Sequence, residues 1–188
     1  MTFYSIILFL HVTAVLGLFA SLSFELLALS RLRQASDLGE VRRWIDPVPG
    51  IPLAAIASIF IVLLSGIYLA ARMAAFDLAW PKAAILAVVL IAPFGALTGK
   101  RMRTIRRSMA EATTTKPELL KRLQDPFLKI SFGVRTTTFF GIVLLMAAKP
   151  GSRQSVAIVV CSPILGLLLS LLAWRRTGPF RAGGELQG

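Results

Sequence analysis

The stretch FYSIILFLHVTAVLGLFASLSFELLAL, residues 3–29, decides the fold of this chain. A transmembrane helix needs about 20 mostly apolar residues, and only His11 and Glu25 interrupt this longer run with ionisable side chains. No positively charged segment precedes the run, which also exceeds the roughly 7–15 apolar residues of a signal peptide. We therefore interpret it as a retained first transmembrane helix.

Four further apolar windows predict four more spans. They cover residues 51–71, 80–99, 127–148 and 155–174. Prolines inside two of these windows, Pro93 and Pro163, are tolerated because neighbouring helices re-satisfy the backbone groups that a proline leaves unpaired. The expected fold is therefore all-α, a polytopic membrane helix bundle with five transmembrane helices.

The composition excludes several other classes of protein. Of the 188 residues, 56% are hydrophobic and only 16% are charged, whereas a soluble globular domain is about 25% charged. The mean hydropathy of +0.74 argues against a soluble nucleic-acid-binding domain, although the net charge is +12. The single cysteine, Cys161, excludes an intramolecular disulfide scaffold. We therefore expect no nucleic-acid partner.

The distribution of basic residues predicts the orientation of the chain. Fifteen of the 21 Lys and Arg residues lie in residues 30–50, 100–125 and 175–188, which a five-span chain places on one side of the membrane. The positive-inside rule then predicts an outside N-terminus and a cytoplasmic C-terminus in a bacterial inner membrane. Residues 1–176 are expected to form one membrane domain, and residues 177–188 a flexible cytoplasmic tail.

Residues 100–125 are predicted to form a basic cytoplasmic amphipathic loop. Met102, Ile105 and Met109 recur at helical spacing between arginines, which indicates a helical extension of the third span. Residues 115–118 (TKPE) fit a capping box that begins another short helix. Anionic headgroups of the membrane lipids are the favoured partner of this segment, and an acidic protein is the alternative.

Ionisable side chains at membrane depth mark candidate sites, because charge is costly in hydrocarbon. Tyr4, His11 and Glu25 are predicted to share one face of the first helix, since His11 and Glu25 lie only about 40° apart around it. This polar line is expected to point into the bundle rather than toward lipid. His11 is the single histidine; it either binds a ligand or carries a proton, or it only hydrogen-bonds a neighbouring helix.

Two cations complete the predicted intramembrane polar site. Arg135 lies nine residues past Pro126 and therefore about 13 Å from the cytoplasmic side. We predict that Arg135 pairs with Glu25, either as a structural pair that fixes helix register or as part of a site for an anion or carboxylate. Lys82, near the start of the third span, either extends outward to the interface or reaches toward His11.

The motifs leave the activity open. No Gly-rich phosphate loop and no CxxC, HExxH or GxSxG motif occurs, so no catalytic residue is assigned. We expect the polar site to carry a small solute or a proton, or the protein to be a subunit of a larger membrane complex. Small-xxx-small spacings predict close helix packing within the bundle or in a homo-oligomer. They occur at Gly17 and Ser21, at Gly95 and Gly99, and at Gly166 and Ser170.

Three stretches resemble a family of small bacterial integral membrane proteins of unknown function. They are residues 9–17 (FLHVTAVLG), 64–68 (LSGIY) and 96–102 (ALTGKRM). The resemblance covers most of the chain and implies a membrane bundle, but no activity.

A more distant likeness is to the HemJ-type protoporphyrinogen oxidases and the copper-resistance D-type membrane proteins. It is carried by His11 in the first span and by Trp80-Pro81-Lys82 at the start of the third. The likeness implies the alternative function, a membrane oxidoreductase that binds haem or a porphyrin through His11, with Lys82 assisting.

Overall fold

The computed structural model describes residues 2–34, 39, 44, 50–110 and 126–176, and within these ranges it has five long helices. No strand occurs among these residues. The helices are α1 (Phe3–Gln34), α2 (Ile51–Arg72), α3 (Ala79–Ala110), α4 (Pro126–Ala148) and α5 (Ser152–Arg176), with a short 3₁₀ turn at Ala75–Asp77. All five are long and apolar enough to cross a membrane, which confirms the predicted all-helical class and number of spans.

Three of the helices, α1, α3 and α5, exceed the spans predicted from the sequence by five residues or more. Helices α1 and α3 each have 32 residues, or about 48 Å at 1.5 Å per residue, against a hydrocarbon thickness of about 30 Å. The predicted helical extension of the third span is confirmed as far as Ala110. The predicted capping box at residues 115–118 and the tail at 177–188 lie outside the described residues.

Backbone signals explain where α2 begins and ends. Gly50 precedes the helix with a φ of 114°, a conformation open to glycine, and Pro52 lies in the first turn, where its missing N–H costs no hydrogen bond. At the other end Ala74 adopts a left-handed φ of 49° and leads into the 3₁₀ turn. This tight connection joins α2 to α3 in the chain. The two helices nevertheless make few contacts with each other.

Helix α4 is the centre of the bundle. It packs extensively on α5 and also on α3, and it is the most buried of the five candidate spans. Helix α1 packs mainly on α2. Contacts between this α1–α2 hairpin and the α3–α4–α5 unit are sparse, with α1 touching α4 and α2 touching α3 at a few positions only. The junction between the hairpin and the unit is therefore the least packed boundary of the bundle.

Small residues let α4 and α5 approach closely. A Cβ atom added to Gly133 would lie 3.0 Å from the Gly166 carbonyl oxygen, and one added to Gly141 would lie 2.7 Å from Ser162 Oγ. Ser170 completes the stripe, since its hydroxyl donates to the Gly166 carbonyl oxygen at 2.7 Å. The predicted packing role of Gly166 and Ser170 is thus confirmed, because side chains of this size let two backbones pack at short range.

The other two predicted small-residue pairs differ from each other. Gly17 lies against α2, where an added Cβ would be 2.9 Å from Ser58 Oγ. Gly95 instead faces the Arg135 side chain, and Gly99 has no atom within 4 Å of a built Cβ. The close-packing prediction for Gly95 and Gly99 is therefore wrong within this bundle, because the space beside Gly95 holds an arginine side chain rather than a helix backbone.

Candidate functional site

The predicted ion pair between helices α1 and α4 is present. A guanidinium Nη2 of Arg135 donates to the carboxylate Oε1 of Glu25, 110 residues away in the chain. The Arg135 side chain is 14% exposed and the Glu25 side chain 25% exposed. The two opposite charges therefore compensate each other within segments of span length and composition, where a lone charge is costly.

The polar line on α1 lies on the packed side of that helix. His11 is 8% exposed, while Tyr4 and Glu25 are half-buried. The same face carries the buried residues Ala14 and Leu22, so its spacing follows the three- and four-residue steps of a packed helix face. The contacts of His11 with α2 and of Glu25 with α4 agree with the predicted inward orientation of these two residues, whereas Tyr4 is half-buried and its orientation stays a prediction.

Several groups of α3 and α4 hold Arg135 in place. Its Nε donates to the Ser131 carbonyl oxygen at 3.3 Å, one turn earlier on the same helix. Gly95 of α3 lies beside the chain, where an added Cβ would be in ordinary contact with it, 3.8 Å from Arg135 Cδ. The guanidinium therefore lies between α1 and α3, directed back toward the start of α4, as helical side chains generally are.

A buried hydroxyl network fixes the α3–α4 side of the site. Ser131 is fully buried, and its Oγ lies 3.1 Å from the Phe94 carbonyl oxygen and 2.8 Å from Thr98 Oγ1, so its single hydrogen serves one of these two contacts. The Thr98 hydroxyl also donates to the Phe94 carbonyl oxygen at 2.8 Å. Because these hydroxyls have partners, they hold the backbone that positions Arg135 without leaving buried polar groups unpaired.

Aromatic side chains supply apolar contact across the same junction. Phe19 of α1 stacks near Phe139 of α4, with ring centroids 6.2 Å apart, and meets Phe140 edge to face at 6.3 Å. Aromatic pairs of this kind contribute about 0.5–1.5 kcal/mol beyond their buried area. The junction thus combines one ion pair with one small aromatic cluster, in place of an extended packed surface.

His11 belongs to a different interface, the one between α1 and α2. Its Nδ1 lies 2.9 Å from Ser65 Oγ, and the Ser65 hydroxyl donates to the Ile61 carbonyl oxygen. The direction of the His11–Ser65 hydrogen bond depends on which ring nitrogen of His11 carries the hydrogen. Gly66 packs beside the ring, where an added Cβ would lie 3.3 Å from Cε1. His11 is therefore enclosed by its neighbouring helix.

Lys82 lies on the exposed face of α3, opposite the buried side that carries Trp80 and Ala84. The structure gives His11 a hydrogen bond to Ser65 and none to Lys82. Of the five predicted site residues, only Glu25 and Arg135 are thus brought into contact. Of the two orientations predicted for Lys82, the outward one is observed, because Trp80 and Ala84 occupy the side of α3 that packs on the protein.

Two functional neighbours were not found from the sequence. Ser65 of α2 binds His11, and Thr98 of α3 braces Ser131. Ser58, Val62, Ser65 and Leu69 form the buried face of α2 at helical spacing, so that pattern could have marked Ser65 as inward-facing. No comparable pattern indicates which residue of a partner helix a single serine or threonine would reach.

The residues present do not fit a metal ion or a haem. Among the described residues, no group of three or more His, Cys, Asp and Glu side chains could hold a metal ion. A haem iron would need the other ring nitrogen of His11, Nε2, but the ring is only 8% exposed between α1 and α2, so a haem does not fit beside it in this packing. Cys161, which could supply a thiolate, is exposed on α5.

Comparisons of the chain with models of protein families, with curated proteins and with solved structures found no match. The likeness to HemJ-type and copper-resistance D-type proteins therefore stays a prediction from a few residues.

Proposed function

We propose that this multi-pass protein resides in a bacterial cytoplasmic membrane, with its N-terminus outside. It carries a proton together with a small anion across that membrane, and the Glu25–Arg135 pair binds both on the way. The observation that carries the proposal is the position of the pair at the least packed boundary of the bundle. Because few packing contacts surround the pair, Glu25 and Arg135 can exchange partners without breaking an extensive helix interface. A pair that only fixed register would be better placed within an extensive interface.

The chemistry of the two groups suits this exchange. Glu25 is a carboxylate that a proton can neutralise, whereas the guanidinium of Arg135 stays charged at every relevant pH. When Glu25 accepts a proton, Arg135 is left without its counter-charge and binds a small anion in its place, with two parallel N–H···O bonds for a planar oxyanion. The proton and the anion enter together, so the site keeps its net charge.

Proton flux into liposomes tests this proposal. The purified protein is reconstituted with the pH dye pyranine inside, and a pH gradient is applied with nitrate or lactate outside and with gluconate as a large-anion reference. We expect nitrate- or lactate-dependent proton entry well above that of empty liposomes. Glu25→Gln and Arg135→Gln should both reduce it to the empty-liposome rate, because each removes one member of the exchange.

Lys82→Gln is the matched control, since it removes an exposed cation of α3 that does not contact the pair. It should leave the flux unchanged. Flux that is equal in the wild-type protein and in Glu25→Gln, with both proteins folded, would overturn the proposal. The prediction that the protein is a subunit of a larger complex or a homo-oligomer is a separate one, which cross-linking in native membranes tests.

The haem- or porphyrin-binding alternative rests on the resemblance and requires α1 and α2 to move apart at the buried His11 ring. We expect the purified protein to be colourless. A Soret absorbance band that is lost in His11→Ala would favour the alternative instead.

A further inference from the structure

The exposed face of α3 reads as a membrane-length apolar stripe with a cation at each end. Lys82 and Lys100 are both exposed and lie 18 residues apart, which is five full turns and about 27 Å along the helix. That separation matches a hydrocarbon thickness of about 30 Å. Between them the face carries large exposed apolar side chains, among them Leu86, Val89 and Leu97.

Two more exposed cations continue this face beyond Lys100. Arg103 and Arg107 follow it by three and seven residues, so the three cations lie within about 60° around the helix axis. Arg103 lies about 4.5 Å and Arg107 about 10.5 Å farther along the axis than Lys100. Three positive charges therefore begin where the apolar stripe ends, at the level of lipid headgroups.

The opposite side of the same helical segment packs against the protein. Thr98 is 5% exposed and Ile105 is 4% exposed, and both point away from the three cations. Thr104 lies beside the cations, and its hydroxyl donates to the Lys100 carbonyl oxygen at 3.1 Å. This hydrogen bond involves the backbone of Lys100 and not its side chain. The basic face is thus held in one direction, outward, by the packing of the helix behind it.

We propose that the face formed by Lys100, Arg103 and Arg107, together with Leu97, binds an anionic phospholipid. The phosphate lies among the three cations, and an acyl chain follows Leu97 and Val89 down the apolar stripe. Charge complementarity selects an anionic headgroup, because each Lys or Arg near a membrane surface contributes about a fivefold preference for anionic lipid. The continuity of the basic face with the apolar stripe selects a lipid over a soluble acidic protein, which would use the cations alone.

The proposal is independent of the proton–anion exchange at Glu25 and Arg135, and of which side of the membrane carries the basic face. It requires only that Lys100 lie at one membrane edge. A failure of the flux experiment therefore leaves it standing, and its own failure leaves the exchange standing.

Lipid titration of the purified protein by native mass spectrometry tests the site. The full chain in detergent is titrated with phosphatidylglycerol and, separately, with phosphatidylcholine. We expect tight binding of the anionic lipid and weak binding of the zwitterionic one. The triple variant Lys100→Gln, Arg103→Gln, Arg107→Gln should weaken phosphatidylglycerol binding on the order of 100-fold at low salt, because it removes three headgroup contacts.

A matched triple variant removes the same charge elsewhere. Arg72→Gln, Lys149→Gln and Arg153→Gln replace three exposed cations at the helix ends on the opposite side of the bundle. This control should keep wild-type affinity for phosphatidylglycerol. A melting curve of each variant verifies that it is folded.

Four results would overturn the proposal. They are equal loss of affinity in both triple variants, retained affinity in the first, equal binding of phosphatidylcholine, and competition by inorganic phosphate at concentrations comparable to the lipid. If the first triple variant loses binding of a poly-glutamate peptide but keeps binding of phosphatidylglycerol, the face binds an acidic protein instead.

Discussion

His11 and Glu25 lie on one face of one helix, yet they meet two very different surroundings. His11 lies in the extensive α1–α2 interface, where a neutral hydrogen bond to Ser65 satisfies it. Glu25 lies where α1 barely touches the rest of the bundle, and an ion pair with Arg135 links the two parts. The comparison indicates that α1 uses neutral polar contacts where helices pack closely and charged ones where they do not.

This difference has a physical reason. A closely packed interface is dry, so an uncompensated charge there is very costly, whereas a hydroxyl–imidazole contact leaves no net charge. At a sparse junction few dispersion contacts are available, and a single ion pair supplies attraction that acts over a longer distance. The hairpin is thus joined to α3–α4–α5 by electrostatics and a few aromatic contacts more than by packing.

Removing Arg135 should have the largest effect on this comparison. Arg135→Ala leaves Glu25 without its counter-charge, and we expect a loss of about 3 kcal/mol in stability, or about 6–12 °C in melting temperature in detergent. Lys129→Ala removes another cation of the same helix, one that is not part of the Glu25–Arg135 pair. This variant should lose far less stability. Equal melting temperatures for the two variants would contradict the view that the pair holds the junction.

A double variant sharpens the same test. Glu25→Gln combined with Arg135→Gln removes both charges and leaves two amides, so we expect it to be more stable than either single variant. The coupling energy from this double-mutant cycle should be about 1–3 kcal/mol. Additive single effects would show that the two side chains do not act on each other.

Removing the partner of His11 should have an intermediate effect. Ser65→Ala removes the hydrogen-bond partner of the buried Nδ1 of His11, and we expect a loss of about 1–2 kcal/mol, measured as a lower melting temperature. Ser21→Ala is the control, because the Ser21 hydroxyl bonds only the Gly17 carbonyl oxygen of its own helix. A similar change in both variants would mean that the His11–Ser65 contact adds nothing to the α1–α2 interface.

The smallest effect is expected when the glycine beside His11 or the glycine beside Arg135 is changed to alanine. A Cβ at Gly66 would lie 3.3 Å from His11 Cε1, whereas one at Gly95 would lie 3.8 Å from Arg135 Cδ. Gly→Ala favours both helices by about 1 kcal/mol through propensity, so Gly95→Ala should raise the melting temperature. Gly66→Ala should gain less, since the packed ring must move. A larger gain at Gly66 would contradict the difference in packing between the two interfaces.

Much of the candidate site could be predicted from helical periodicity. The spacing of Tyr4, His11 and Glu25 placed them on one inward face, and the cost of a lone charge in the membrane singled out Arg135 as the partner of Glu25. Both expectations are met for His11, Glu25 and Arg135, because they depend on local geometry and on charge. Ser65 was missed, since a serine in a span commonly bonds the backbone of its own helix and carries no signal of a partner.

The sequence by itself determined five spans and the inward face of α1, because hydrophobic run length and the helical repeat act within each segment. Only the tertiary structure decided that His11 contacts α2, that Lys82 points outward and that Gly95 lies beside Arg135. It also decided that the α1–α2 hairpin makes few contacts with the other three helices. Those features depend on which helices become neighbours. Small residues far apart in the chain, such as Gly133 and Gly166, set that arrangement through the close approach of their backbones.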